Sequence, residues 1–246
     1  MDVGGRRMSY RVRDGQPCLV LIPGSHQDSR QWDETVRGLG PGLGLVILEL
    51  PGHGQSAELP ADPSIESYSL DSWQVLDACG IGHNVYVGGH SLGGMVALEM
   101  GRVRPGDIKG IISVEGWTNC AAAEDAFAWR MYDTLSPKLL ARQDELRAKA
   151  TGHLSEEERR RLSEVWTRWD GSEFLDETEL PILELWGDRG KANPGLARLH
   201  IPARENICVK WFQGASHNLP LERPAELAGA IVEFIARVEA VGCPGK

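Results

Sequence analysis

Five consecutive residues, Gly89-His90-Ser91-Leu92-Gly93, constrain this chain more than any others. They form a G-x-S-x-G pattern that follows directly on the short β-rich run Asn84–Gly88 (NVYVG) and opens into a helical pattern over Leu92–Arg104. A turn that passes from strand to helix in so few residues holds its serine in a strained conformation with the hydroxyl exposed. The flanking positions are glycine because a side chain there would collide with neighbouring backbone. The helix that follows presents N–H groups and positive dipole beside the hydroxyl, where a developing oxyanion would be stabilised. Ser91 is therefore a candidate nucleophile.

The rest of the chain alternates in the same way. Met8–Arg13 and Cys18–Ile22 read as strands joined by a turn at Asp14-Gly15, and Leu43–Leu50 reads as a strand ending at Pro51-Gly52. Ile65–Cys79 carries a helical period closed by Gly80, and Pro105-Gly106 stops the helix after Ser91. Lys109–Glu115, Pro181–Trp186 and Asn206–Phe212 read as strands, and Pro224–Val238 as a closing amphipathic helix with proline in its first turn. Strands alternating with helices across short loops predict an α/β fold, a mostly parallel sheet with helices on both faces. Residues 117–180 break the alternation: no strand pattern, several helical ones, and four of the eight tryptophans (Trp117, Trp129, Trp166, Trp169). Ser155 followed by Glu156, Glu157 and Glu158 begins one of these helices with a hydroxyl cap and acids in the first turn. The expected organisation is a core of residues 1–116 and 181–246 with residues 117–180 inserted as a small helical cap.

Composition excludes several classes. Acids outnumber bases 35 to 26, for a formal charge of −9, so the basic footprint of a nucleic-acid binder is missing. No apolar run approaches the roughly 20 residues that cross a bilayer, and Met1–Arg7 lacks the apolar core of a secretory signal. The five cysteines (Cys18, Cys79, Cys120, Cys208, Cys243) are odd in number and form no CxxC pair. They read as reduced thiols of a cytoplasmic protein rather than as disulfides or zinc ligands. The run Glu156–Arg161 reads as a solvated helix face, and Cys120 as an inert thiol.

Three further segments extend the pattern around Ser91: Leu21-Ile22-Pro23-Gly24-Ser25-His26, Glu49-Leu50-Pro51-Gly52-His53-Gly54-Gln55-Ser56, and Gly214-Ala215-Ser216-His217-Asn218 with Glu222-Arg223-Pro224. With the G-x-S-x-G turn they make the chain resemble the α/β-hydrolase fold superfamily, in its serine esterase and lactonase-like branch with a helical cap, from about Met8 to Val238. The resemblance implies that His217 is the general base for Ser91, in the family's order of nucleophile, acid and histidine. It implies an oxyanion hole made by the backbone N–H groups of Ser25 and Leu92, donors that do not depend on Pro23 standing where the family usually has histidine. His90 and His53 then read as turn residues, and His26 as a candidate wall of the pocket.

The acid departs from the family's pattern. Most members carry W-G-x-x-D, whereas this chain reads Trp186-Gly187-Asp188-Arg189-Gly190, so glycine stands where the aspartate is expected. Glu115, ending the strand Lys109–Glu115, is the preferred substitute: certain haloalkane dehalogenases and a zearalenone-type lactonase place their acid there, and the longer side chain helps it reach across. Asp188 is the alternative. Either would serve by accepting the imidazole N–H and stabilising the imidazolium.

The implied reaction is acyl transfer to water, on an ester or lactone of an apolar or aromatic small molecule, with no metal and no organic cofactor. Serine at position 91 argues against the carboxylate-nucleophile chemistry of dehalogenases and epoxide hydrolases. The four tryptophans are candidate substrate-binding residues. The alternatives are carbon–carbon bond hydrolysis, perhydrolysis or cofactor-free dioxygenation on the same fold, and a ligand-binding protein without turnover. The expected partner is a small-molecule substrate, without nucleic acid or membrane, for a monomer or homodimer.

Overall fold

The computed structural model describes residues 1–242. Its strands are β1 (Asp2–Val3), β2 (Arg6–Arg7), β3 (Tyr10–Arg13), β4 (Cys18–Ile22), β5 (Gly44–Leu48), β6 (Val85–His90), β7 (Ile108–Val114), β8 (Ile182–Gly187) and β9 (Ile207–Phe212). Its helices are α1 (Asp33–Gly38), α2 (Ile65–Ala78), α3 (Leu92–Val103), α4 (Cys120–Phe127), α5 (Pro137–Thr151), α6 (Glu156–Glu164), α7 (Ser172–Glu177), α8 (Leu219–Glu222) and α9 (Pro224–Gly242), joined by short 3₁₀ turns. β1 and β2 form a separate antiparallel ribbon.

The central sheet runs β3-β5-β4-β6-β7-β8-β9, parallel throughout except for β3. Every residue of β4, β5 and β6 is buried, as strands covered on both faces must be. Alternate side chains enter opposite layers. Val20, Ile22, Val46, Leu48, Val85 and Val87 pack in the layer that holds α2 and α3 residues such as Val75, Leu76, Val96 and Leu98. Leu19, Leu21, Leu45, Ile47 and Tyr86 pack in the other, with Leu227, Ile231 and Phe234 of α9.

The strands on either side of Asp14-Gly15 do not pair with each other, contrary to the hairpin reading. Both edges of β4 are taken by parallel partners, β5 and β6, so β3 is carried past it to the free edge of β5. From β4 the chain therefore moves first to one side of the sheet and later to the other. The crevice at such a reversal, outside the carboxyl ends of the strands, is where ligands bind in open α/β sheets. The loop bearing Ser25 and the turn bearing Ser91 leave β4 and β6 at this crevice.

Residues 117–180 contain α4 to α7, and an isolated bridge between Asn119 and Asp170 closes their base. Ser136 caps α5 ahead of Pro137, and Ser155 caps α6 through a reciprocal capping box with Glu158. Arg160 pairs with Glu157 and Glu164 on the exposed face of α6. The described cysteines, Cys18, Cys79, Cys120 and Cys208, are free thiols, and Cys243 lies outside the described residues. Among the described residues no helix is long and apolar enough to cross a membrane.

Candidate active site

Ser91 stands between β6 and α3 at φ 52° and ψ −119°, in a region that costs a non-glycine residue free energy. Its N–H donates to the Val114 carbonyl at 2.8 Å, which ties the turn to β7. A Cβ on Gly89 would lie 2.1 Å from the Gly93 carbonyl oxygen, and one on Gly93 would lie 2.2 Å from that of Ile22. The second approach seats the Pro23–His26 loop against the start of α3. The N–H groups of Ser25 and Leu92, one from each side of this contact, have no protein partner among the described residues.

His217 lies in the loop after β9. Its Nδ1 is 3.0 Å from Glu115 Oε2, so Nδ1 carries the shared proton and Nε2 is left as the basic nitrogen. Ser91 and His217 line one cavity, and their side chains are not hydrogen-bonded to each other in this structure. The imidazole stacks on Trp117, with 5.9 Å between centroids and 11° between planes, and meets the Tyr132 ring edge-on at 5.7 Å. The His217 N–H donates to the Met131 carbonyl at 2.9 Å, so the insertion holds this loop as well.

Glu115 follows β7 at φ 55° and is wholly buried. Its carboxylate also accepts from the Gly187 N–H at 2.6 Å and, through both oxygens, from the guanidinium of Arg189, whose side chain is 1% exposed. Burial alone would raise the Glu115 pKa, but the Arg189 charge and the hydrogen bonds from His217 and Arg189 outweigh it and bring it down to about 2. Burial lowers the pKa of His217, and the Glu115 carboxylate opposes that shift. The segment that lacks the usual aspartate thus supplies a cation to the acid of the neighbouring strand. Asp188 lies elsewhere: its Oδ1 accepts the Gly190 N–H at 2.8 Å and the Gly214 N–H at 2.7 Å, a loop-bracing role.

A buried polar chain connects the parts. The Gly24 N–H donates to Gln31 Oε1 at 2.9 Å, Gln31 Nε2 donates to His90 Nδ1 at 2.9 Å, and His90 Nε2 donates to the His217 carbonyl at 2.8 Å. Asn218 extends the chain into the insertion by donating to Gln143 Oε1 at 2.9 Å. These partners require a neutral His90, and burial, with the neighbouring His217 imidazole adding to it, lowers its pKa to about 3. His53 accepts the His26 N–H at 3.1 Å and stays within its turn. Gln31, Asn218 and Gln143 escaped the sequence reading because nothing in their local pattern marks a polar residue as inward-facing.

The cavity encloses about 150 Å³ and is walled by Ser25, Gln27, Trp117, Tyr132, Arg147 and Trp166 in addition to the groups above. That is room for a molecule the size of benzene. His26 also lines it, spanning from Thr151 Oγ1 to Ser163 Oγ at 3.1 Å each, with its pKa lowered to about 4 by burial and by the charges of Arg147 and Arg159. Two of the four tryptophans do not reach the cavity. Trp169 is buried in the core, where its indole N–H donates to Glu99 Oε2 at 3.0 Å. Trp129 is 47% exposed and packs on the outer side of Trp166. No group of three or more His, Cys, Asp or Glu side chains suited to a metal ion occurs among the described residues.

Known proteins share this fold. The chain is 33% identical over 104 residues to the "Putative carbamate hydrolase RutD" of Pseudomonas savastanoi pv. phaseolicola, a match spanning 42% of this chain and 40% of that one. It spans about half the length, or less, of the curated relatives it matches. A thermophilic esterase from Thermogutta terrifontis superposes with a TM-score of 0.73 at 18% identity, over 94% of this chain and 93% of its own. The enol-lactonase from Burkholderia xenovorans LB400 superposes with a TM-score of 0.74 at 18% identity, over 95% and 98%. Residues 19–230 match the model of the alpha/beta hydrolase family, and the chain belongs to that family.

Proposed function

We propose that the protein is a serine hydrolase that cleaves an ester or lactone of a small molecule with an apolar, ring-sized body. Ser91 attacks the carbonyl, His217 takes the hydroxyl proton through Nε2, and the Ser25 and Leu92 N–H groups hold the oxyanion. His217 then protonates the leaving alcohol, and water resolves the acyl-enzyme by the same steps in reverse order. Glu115 keeps the proton of His217 on Nδ1 and stabilises the imidazolium, while Trp117 and Trp166 give the substrate an apolar wall. Such chemistry needs no cofactor, and free thiols suit a cytoplasmic setting. The observation that carries this reading is the 3.0 Å contact of Glu115 with His217 at the cavity that Ser91 lines. The similarity to a putative carbamate hydrolase supports acyl transfer, while proteins of like fold include esterases, an enol-lactonase and one described as cleaving the ring of the Pseudomonas quinolone signal.

The test is intact-mass analysis after exposure to a small, uncharged fluorophosphonate, followed by peptide mapping. One adduct on Ser91 is expected; a protein that stays unmodified contradicts the proposal.

The pH dependence has a fixed direction. His217 is active as a neutral base, and its pKa lies below the ordinary imidazole value of about 6.5. Measured kcat/KM is therefore expected to rise through a limb centred below pH 6.5 and to be level above it. A midpoint above pH 7 would contradict the assignment of the base.

A further inference from the structure

Arg147 is the one permanently charged side chain on the cavity wall, and its surroundings leave it without a counter-ion. The guanidinium lies over the Tyr132 ring, 5.4 Å from its centroid, and Nη2 donates to the Tyr132 hydroxyl at 2.9 Å. That hydroxyl stays neutral, since burial raises its pKa. Nε of Arg147 is buried with no hydrogen-bond partner, and no carboxylate stands within ion-pair distance among the described residues. Arg189, whose Nε is likewise without a partner, differs in its counter-ion, with both of its terminal nitrogens on Glu115. In a chain with nine more acids than bases, a guanidinium left unpaired beside the candidate nucleophile departs from the charge pattern of the rest of the molecule.

A guanidinium presents its donors as a planar fork that matches a carboxylate, and a buried unpaired donor is costly until something accepts from it. Ser25 adds a second unmatched group to the same cavity, because its Oγ is buried without a partner. No acidic side chain lines the cavity to repel an anion, since the one carboxylate nearby, Glu115, is neutralised by Arg189 behind His217. Ser91 and Arg147 both line this cavity of about 150 Å³.

Resting on the hydrolase reading above, we infer that the substrate carries a carboxylate held by Arg147. The substrate class is then a small half-ester of a dicarboxylic acid, or a lactone bearing a free acid. Hydrolysis adds water across the acyl–oxygen bond and leaves a second carboxylate, with the alcohol released from a half-ester or kept as a hydroxyl on the opened chain of a lactone. The overall charge of −9 does not oppose this, because the field inside a cleft is set by the groups that line it.

Calorimetric titration of the full chain with succinate and with succinamide, its uncharged analogue, tests the inference without requiring turnover. Succinate is expected to bind about tenfold or more tightly than succinamide, in line with the strength of hydrogen bonds to charged groups. Arg147→Met should lose that preference, Arg147→Lys should recover part of it, and added salt should weaken it. Equal binding of the two probes by the native protein, or a preference surviving in Arg147→Met, overturns the inference and leaves Arg147 as a support for Tyr132. Should Arg147→Met fail to fold, the comparison of the two probes on the native protein still decides. The two proposals fail separately. A Ser91 that takes no fluorophosphonate ends the hydrolase reading whatever succinate does; a labelled Ser91 beside indifference to charge ends only the carboxylate site.

Discussion

Replacing Ser91 by alanine is expected to lower the turnover of an activated ester by about 10⁶-fold, the scale found when a triad nucleophile is removed. What remains comes from the oxyanion donors and from binding, worth about 10³-fold over water. The substitution leaves the backbone conformation in place, because the strain at φ 52° is imposed by the contacts of Gly89 and Gly93 rather than by the hydroxyl. Alanine at 91 should therefore melt close to the native protein. Glycine at 91 should be just as inactive yet more stable, since it adopts positive φ without the roughly 1–3 kcal/mol that other residues incur. Offset by the extra chain entropy of glycine, a net gain of about 1 kcal/mol would raise Tm by roughly 2–4 °C. Steady-state kinetics and thermal melts on the two variants check both halves. Activity within tenfold of native in Ser91→Ala would overturn the nucleophile assignment, and oxygen consumption unaffected by that change would direct attention to cofactor-free oxygenation instead.

The sheet and the turn at Ser91 were legible because both are written locally. Continuous apolar runs mark strands covered on two faces, and a glycine-flanked serine between strand and helix has few conformations open to it. What surrounds Ser91 depends on strand neighbours distant in sequence, and there local pattern says little. The sequence showed an aspartate missing at Gly190; it did not show that Arg189 would face the acid of β7, which follows only from the pairing of β7 with β8. The inward face of α5 was equally hidden. Its buried positions, Gln143, Leu146, Ala150 and Thr151, include two polar residues, so hydrophobic periodicity gave little hint of which side met the cavity. The place of Trp129 and Trp169 within residues 117–180 marks them as candidates for the substrate, and place in the chain does not distinguish an indole hydrogen-bonded to Glu99 from one facing a ligand.

Glu115→Gln is expected to lower kcat by about 10⁴-fold, as for a triad acid exchanged for its amide, with little change in KM because Glu115 does not line the cavity. The amide keeps the shape and loses the charge that stabilises the imidazolium. Unlike an acid that serves only a histidine, this one also neutralises Arg189, a guanidinium 1% exposed. The same substitution should therefore cost about 3–5 kcal/mol of stability, the usual penalty for orphaning one member of a buried ion pair. The sign of its pH dependence follows from a folded pKa of about 2, below the ordinary value of about 4.3. The stabilisation is complete above pH 4.3 and is lost as pH falls toward 2, so acid melts of the native protein and of the Glu115→Gln variant should converge across that window. Combining Glu115→Gln with Arg189→Met separates the two roles, since removing both charges restores much of the stability and none of the turnover. Asp188→Asn is the control for the alternative acid: it loosens a loop held by two backbone N–H groups and should keep kcat within about tenfold of native. A collapse of kcat in Asp188→Asn beside an active Glu115→Gln would transfer the role of the acid to Asp188. Glu115 thus depends on two neighbours at once: its carboxylate can be buried this deeply only because Arg189 lies against it, and it orients His217 only because the strand end aims it there.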